Sequence, residues 1–193
     1  MAPYPFQKVA VYCGSNSGND DAFHVAADLL AKTLAESDLT LVYGGGKVGL
    51  MGLIANSLLL RGGKVIGVIT EALIDKEVAH MELTELHRVG SMHERKALMA
   101  EQADAFILFP GGPGSWEEFF EIITWAKLGY HQKPCGILNV NGYYDDLLRF
   151  LDHSVEKRFL SEAHRRMILV AESPQNLLNQ FAEYQAPQVS AWM

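Results

Sequence analysis

Met92-His-Glu-Arg-Lys96 and Pro110-Gly-Gly-Pro-Gly-Ser-Trp-Glu-Glu118 hold the side chains best suited to chemistry on a phosphorylated ligand. The second stretch follows Ala105-Phe-Ile-Leu-Phe109, an apolar run that reads as a buried strand stopped by proline. Gly111, Gly112 and Gly114 come next, and Ser115 reads as the N-cap of an amphipathic helix. A strand, a glycine-rich turn and a helix N-terminus leave backbone N–H groups unpaired at the positive end of the helix dipole. That arrangement binds phosphate. Glu117 and Glu118 then fall in the first turn, at the lip of the cradle. Arg95 and Lys96 open the preceding helix; such a pair is usually solvated surface charge. If the helix enters from the ligand edge, the arginine could instead clamp phosphate or developing charge bidentately.

The elements that must position these residues alternate along the chain. Strands are expected at 8–13, 39–43, 65–69, 85–89, 105–109, 136–139 and 167–170. Helices are expected from Asp20 or Asp21 to about Ser37, Gly49 to about Arg61, Met92 to about Ala103, through the segment after the cradle, Tyr144 to about Arg158, and from Ser173-Pro174 onward. Residues 71–82 read as a functional loop or a short helix. Strands apolar on both faces and alternating with helices imply an α/β fold. It is a Rossmann-like open parallel sheet with helices on both faces, three-layer αβα. One domain spans 1–193, with its core at about 8–180.

Glycine-rich loops follow Cys13, Tyr43 and Phe109, all on the sheet edge where ligands bind in such folds. Gly14, Ser15, Gly45 and Gly46 therefore join the binding candidates. Gly44-Gly-Gly-Lys-Val-Gly49 satisfies G-x-G-x-x-G, with Glu71 about twenty residues on. Glu71 fits the dinucleotide fingerprint only approximately, and the loop is the second of the chain, so a tight turn or a mononucleotide is favoured. Cys13 reads as a small buried residue rather than a nucleophile, and the histidines have no metal-ligand spacing. On the helix after the cradle, Phe119, Phe120, Ile122, Ile123 and Ala126 form a broad apolar side beside Glu118, Glu121 and Trp125. So much apolar surface implies contact with the sheet and with a second subunit.

The 16 basic and 23 acidic residues give a net charge of −7, which argues against nucleic acid or an anionic membrane as the main partner. Two cysteines, no signal-peptide pattern and no membrane-length apolar run point to a cytoplasmic protein.

With these motifs in view, the chain resembles the LOG family, cytokinin-activating phosphoribohydrolases long labelled lysine decarboxylases. The signature P-G-G-x-G-T-x-x-E stands here as residues 110–118, preceded by M-H-x-R-K at 92–96. Cys13-Gly-Ser15, Tyr43-Gly-Gly-Gly-x-x-Gly-Leu-Met51, Ile123-Thr-Trp-Ala126 and Asn141-Gly-Tyr-Tyr144 are also similar to the family. The resemblance implies hydrolysis of the N-glycosidic bond of N6-substituted adenosine 5′-monophosphates. It implies Arg95 and Glu118 as the catalytic pair. Glu77, Met92, Lys96, Gly111, Gly112, Pro113, Gly114, Ser115, Trp116 and Glu117 would bind the nucleotide. It further implies a homodimer with no metal or organic cofactor. Ser115 stands for threonine, Pro113 for a frequent aromatic and Trp116 for a smaller aliphatic, substitutions that bear on substrate preference. The rival reading is a carrier of molybdenum cofactor or another phosphorylated ligand on a similar fold.

Overall fold

Along Lys8–Tyr12 (β1), alternation sends Val9 and Val11 to one side of a sheet and Ala10 and Tyr12 to the other, and all four are buried. A strand apolar on both faces needs helices on both faces, and the chain supplies them. The structure, a computed structural model, describes residues 4–74 and 79–187.

In chain order the further elements are α1 (Asp21–Glu36), β2 (Thr40–Tyr43), α2 (Gly49–Leu60), β3 (Val65–Thr70), α3 (Glu71–Ile74), β4 (Glu85–Val89) and α4 (Met92–Gln102). They continue with β5 (Ala105–Leu108), α5 (Pro113–Lys127), β6 (Cys135–Leu138), α6 (Asp145–Glu156), α7 (Glu162–Arg165), β7 (Ile168–Ala171) and α8 (Pro174–Glu183). The strands form one sheet in the order β4-β3-β2-β1-β5-β6-β7, with every pairing among them parallel. Leu30, Leu34, Ile54, Leu58, Leu177 and Phe181, from α1, α2 and α8, fill one side. Met99, Phe119, Ile122 and Leu151, from α4, α5 and α6, fill the other. The expected three-layer α/β architecture is therefore what forms.

The order of strands matters for the site. The chain runs outward from β1 to β4, then returns to lay β5 against the free side of β1. Loops leaving β1 and β5 therefore diverge, and a crevice opens at their C-terminal ends.

Two expectations need correction. Ser115 does not cap α5: the helix starts at Pro113, whose fixed φ suits a first helical position, and Gly112 occupies the cap in extended conformation. Glu117 and Glu118 consequently lie beyond the first turn. The strand expected at 85–89 forms as β4, an edge strand paired with β3, which is why Glu85 and Arg88 stay exposed while Leu86, His87 and Val89 are half-buried. Residues 71–74 form a short helix, and Ala79 then bridges to Gly46. The small helix α7 had no expectation attached to it.

His80 and His131 are locked as neutral rings. Each pairs Nε2 with an oxygen (Asn56 Oδ1 at 2.8 Å, Ile122 O at 3.0 Å) while Nδ1 accepts a backbone N–H from Glu82 or Lys133. Burial lowers the pKa of both, and of His164. A depressed folded-state value means that the unfolded chain takes up protons first. Stability is thus full above the unfolded value of about 6.5 and is lost as pH falls through it. The melting temperature should drop between about pH 7 and 5.5, and less so in His131→Gln; an identical slope in that variant would remove His131 from the account.

Candidate active site

At the crevice lies a cavity of about 560 Å³, within the usual range for a small-molecule site. Its lining comes from the loop after β1 (Gly14, Ser15, Asn16), the loop after β5 and the start of α5 (Pro110 to Ser115), and Glu117 and Glu118 one turn on. The starts of α2 (Leu50, Met51) and α4 (Met92, Arg95) close one side, with Leu73 of α3; Phe23 and Tyr143 close the other.

Arg95 is 5% exposed, so the reading of Arg95 and Lys96 as solvated charges fails. Ser91 caps α4 and points its first turn at the crevice, which carries Arg95 inward under the ends of β2 and β3. There Nε donates to the Val68 carbonyl and Nη2 to the Gly44 carbonyl, both at 3.0 Å. Nη1 faces Glu118 Oε1 at 3.5 Å. A planar guanidinium held by two backbone oxygens has one orientation, and that orientation meets the carboxylate. Gly44 makes room for it: a Cβ there would stand 2.0 Å from Nη2.

Lys96 is also buried, but it turns the other way, to Glu117 and Glu121 on α5. Burial works to depress its ammonium pKa; hydrogen bonds and charge from the two carboxylates outweigh this and hold the value above normal. The lysine thus ties α4 to α5 and fixes Glu117 at the cavity edge.

The glycine loop divides by purpose. At Gly111 a Cβ would meet Ser115 Oγ at 2.3 Å and Gly14 N at 2.8 Å, so glycine is required by packing within the chain. At Gly112 and Gly114 a Cβ would meet nothing within 4 Å. Glycine at the second position of a helix costs stability relative to alanine, and no atom of the described residues explains its presence there. The amides of Gly114 and Ser115 occupy positions with no intrahelical acceptor. Pro113 takes one N–H out of this cradle, but at the first helical position its absence breaks no intrahelical hydrogen bond.

Cys13 lines the cavity, but burial, followed by the Glu118 charge, pushes its thiol pKa far up. It remains protonated and is no nucleophile. Tyr12 behaves likewise, raised first by burial and then by Glu118. Among the described residues no group of three or more His, Cys, Asp or Glu could hold a metal ion.

Of the expected site residues, Gly14, Ser15, Met92, Arg95, Gly111, Gly112, Pro113, Gly114, Ser115, Glu117 and Glu118 converge on the one cavity. Gly45, Gly46, Lys96 and Trp116 lie outside its described lining. Gly45, at φ +77, instead accepts from the His80 N–H, and Gly46 bridges to Ala79. Glu77 lies outside the described residues. Phe23, Leu50, Met51, Leu73 and Tyr143 were not named for the site: Phe23 reads as the apolar face of a helix, Leu50, Met51 and Tyr143 stand only within family motifs, and Leu73 falls in the segment expected as a functional loop or short helix.

The family model described as possible lysine decarboxylase matches residues 51–181. The cytokinin riboside 5′-monophosphate phosphoribohydrolase LOG2 of Arabidopsis thaliana is 48% identical over 93% of this chain and 84% of its own. A probable cytokinin riboside 5′-monophosphate phosphoribohydrolase of Oryza sativa subsp. japonica, LOGL5, is 47% identical over 94% of this chain and 74% of its own. Among solved structures, a molybdenum cofactor binding protein from Rippkaea orientalis superposes with a TM-score of 0.66 at 18% identity, covering 90% of this chain and 93% of that one. At that identity the likeness speaks for the fold alone.

Proposed function

Because the chain belongs to the LOG family of phosphoribohydrolases, we propose that it hydrolyses the N-glycosidic bond of N6-substituted adenosine 5′-monophosphates, releasing free base and ribose 5-phosphate. The observation that carries this reading is the Arg95–Glu118 pair at 3.5 Å, facing a cavity whose rim is the open N-terminus of α5. A carrier of a phosphorylated ligand needs the rim but has no use for a buried, oriented pair.

In the proposed reaction the 5′-phosphate sits on the amides at the start of α5, where the dipole and the missing side chains of Gly112 and Gly114 favour it. Binding energy from that remote group places the ribose against Glu118. The bond from the ribosyl carbon to the base nitrogen breaks with its electrons going to the base, which gains a proton. Positive charge grows on the ribose, and the Glu118 carboxylate stabilises it and polarises the incoming water. Water's oxygen bonds to the ribosyl carbon. Arg95 holds Glu118 in register and meets anionic or hydroxyl groups of the substrate. Glu117, steadied by Lys96, lines the ribose side, with Glu77, Gly14, Ser15, Gly45, Gly46, Met92 and Trp116 as further contacts. A cytoplasmic homodimer with the site near the subunit interface is part of the same proposal. Among the described residues no helix is long and apolar enough to cross a membrane.

Incubation with AMP and with N6-isopentenyl-AMP, followed by chromatography, tests the reaction. Free base is expected from the substituted nucleotide; tight binding without base from either would favour the carrier. Gly114→Ala supplies a second check. It should raise stability by about 0.5–1 kcal/mol, as for glycine replaced inside a helix, while raising KM through obstruction of the phosphate. A stabilised variant with an unaltered KM would put the phosphate elsewhere.

A further inference from the structure

Three successive carbonyls of the loop after β5 are each held by a donor from another element. Phe109 O accepts from the Tyr144 hydroxyl at 3.0 Å, Pro110 O from the Gly14 N–H at 3.0 Å, and Gly111 O from the Tyr143 hydroxyl at 2.8 Å. These restraints differ in consequence. A planar trans amide directs its N–H opposite to its carbonyl, so holding one carbonyl aims the N–H of the next residue. After Phe109 comes Pro110, which has no N–H to aim. After Pro110 comes Gly111, whose amide lies beside the Tyr144 hydroxyl. After Gly111 comes Gly112, the cap of α5, whose N–H has no helical acceptor.

The Gly111–Gly112 peptide has glycine on both sides, so no Cβ biases its orientation. A half-turn of that plane would present a carbonyl oxygen where an N–H had been, and an oxygen repels an anion. The restraint against it comes from Tyr143, which is itself well anchored. Its ring packs edge-on against Phe23 at 5.5 Å and Tyr144 at 4.7 Å between centroids. Two residues earlier, Asn141 donates to Asp20 Oδ2 at 2.9 Å, joining this segment to the cap of α1.

We propose that Tyr143 is a positioning residue: by holding the Gly111 carbonyl, its hydroxyl keeps the Gly112 N–H turned toward a bound phosphate. The proposal rests on the reading of this loop as the phosphate seat, and it makes the seat's geometry depend on the segment after β6. Tyr144 is the matched comparison, a neighbouring tyrosine whose hydroxyl holds the same loop one peptide away from the one that matters.

Calorimetry with ribose 5-phosphate, and kinetics with N6-isopentenyl-AMP, on Tyr143→Phe and Tyr144→Phe test it. Tyr143→Phe keeps the ring contacts; its Kd for ribose 5-phosphate and its KM should rise about tenfold, with kcat within about twofold and the melting temperature little changed. Tyr144→Phe leaves a buried carbonyl without its donor and should lose more stability, yet shift ribose 5-phosphate affinity by less than about threefold. Equal losses of affinity in both variants would mean general loosening of the loop and would overturn the proposal, as would unchanged affinity in Tyr143→Phe. Wild-type protein that binds ribose 5-phosphate but releases no base would fault the reaction and leave the Tyr143 comparison standing. Wild-type protein that does not bind ribose 5-phosphate would remove the seat and this proposal together.

Discussion

Glu118→Gln should give a folded protein that still binds nucleotide but releases base about a thousandfold more slowly, the loss expected when a group acting on the transition state is neutralised. The substitution is nearly isosteric, and the side chain is mostly buried opposite Arg95, so a glutamine fits the same space. Its amide oxygen can still accept from Arg95. What disappears is the negative charge that stabilises a ribosyl cation and draws the proton from water. Phosphate binding, centred on the start of α5, should be nearly unaffected. The expected signature is a collapse of kcat with little change in the Kd for ribose 5-phosphate. Should Glu118→Gln keep full turnover, Glu118 is not the catalytic carboxylate.

The second large effect comes from a residue with no side chain. Gly44→Ala should lower kcat/KM by about a hundredfold or more, although no proposed catalytic residue is itself replaced. The new methyl would stand 2.0 Å from Arg95 Nη2, and the guanidinium has nowhere to move without giving up the Gly44 or the Val68 carbonyl. Displacing it leaves Glu118 without its oriented partner, and the overpacking should cost about 1–3 kcal/mol of stability. Far-UV circular dichroism at assay temperature separates misplacement from unfolding. A folded Gly44→Ala protein with wild-type kinetics would show that the Arg95 orientation is unimportant.

Much of the fold was legible because burial leaves a pattern in the sequence. Apolar strands such as Val65–Thr70, buried along their whole length, cannot be mistaken for solvent-facing ones. The glycine-rich loops were legible for the same physical reason, since each marks a place where backbone approaches backbone or ligand. Other features depend on contacts that no local window contains. An arginine beside a lysine at a helix start reads as surface charge; only the crossing of α4 under the ends of β2 and β3 buries Arg95, and Gly44 was the one sequence sign of the space it needs. The start of α5 was misplaced because two local rules competed, serine as a cap and proline as a first helical residue, and the proline rule won. Tyr143 was legible only as part of a family motif, because its partner Gly111 lies thirty-two residues earlier.

The central claim is that one cavity combines a phosphate seat with a carboxylate that cleaves the ribosyl bond. Its most direct test compares release of free base from N6-isopentenyl-AMP and from the corresponding riboside, which lacks the phosphate. The account predicts steady release from the monophosphate, matched mole for mole by ribose 5-phosphate, and far slower release from the riboside. Equal rates from the two, or no base from the monophosphate, would contradict it.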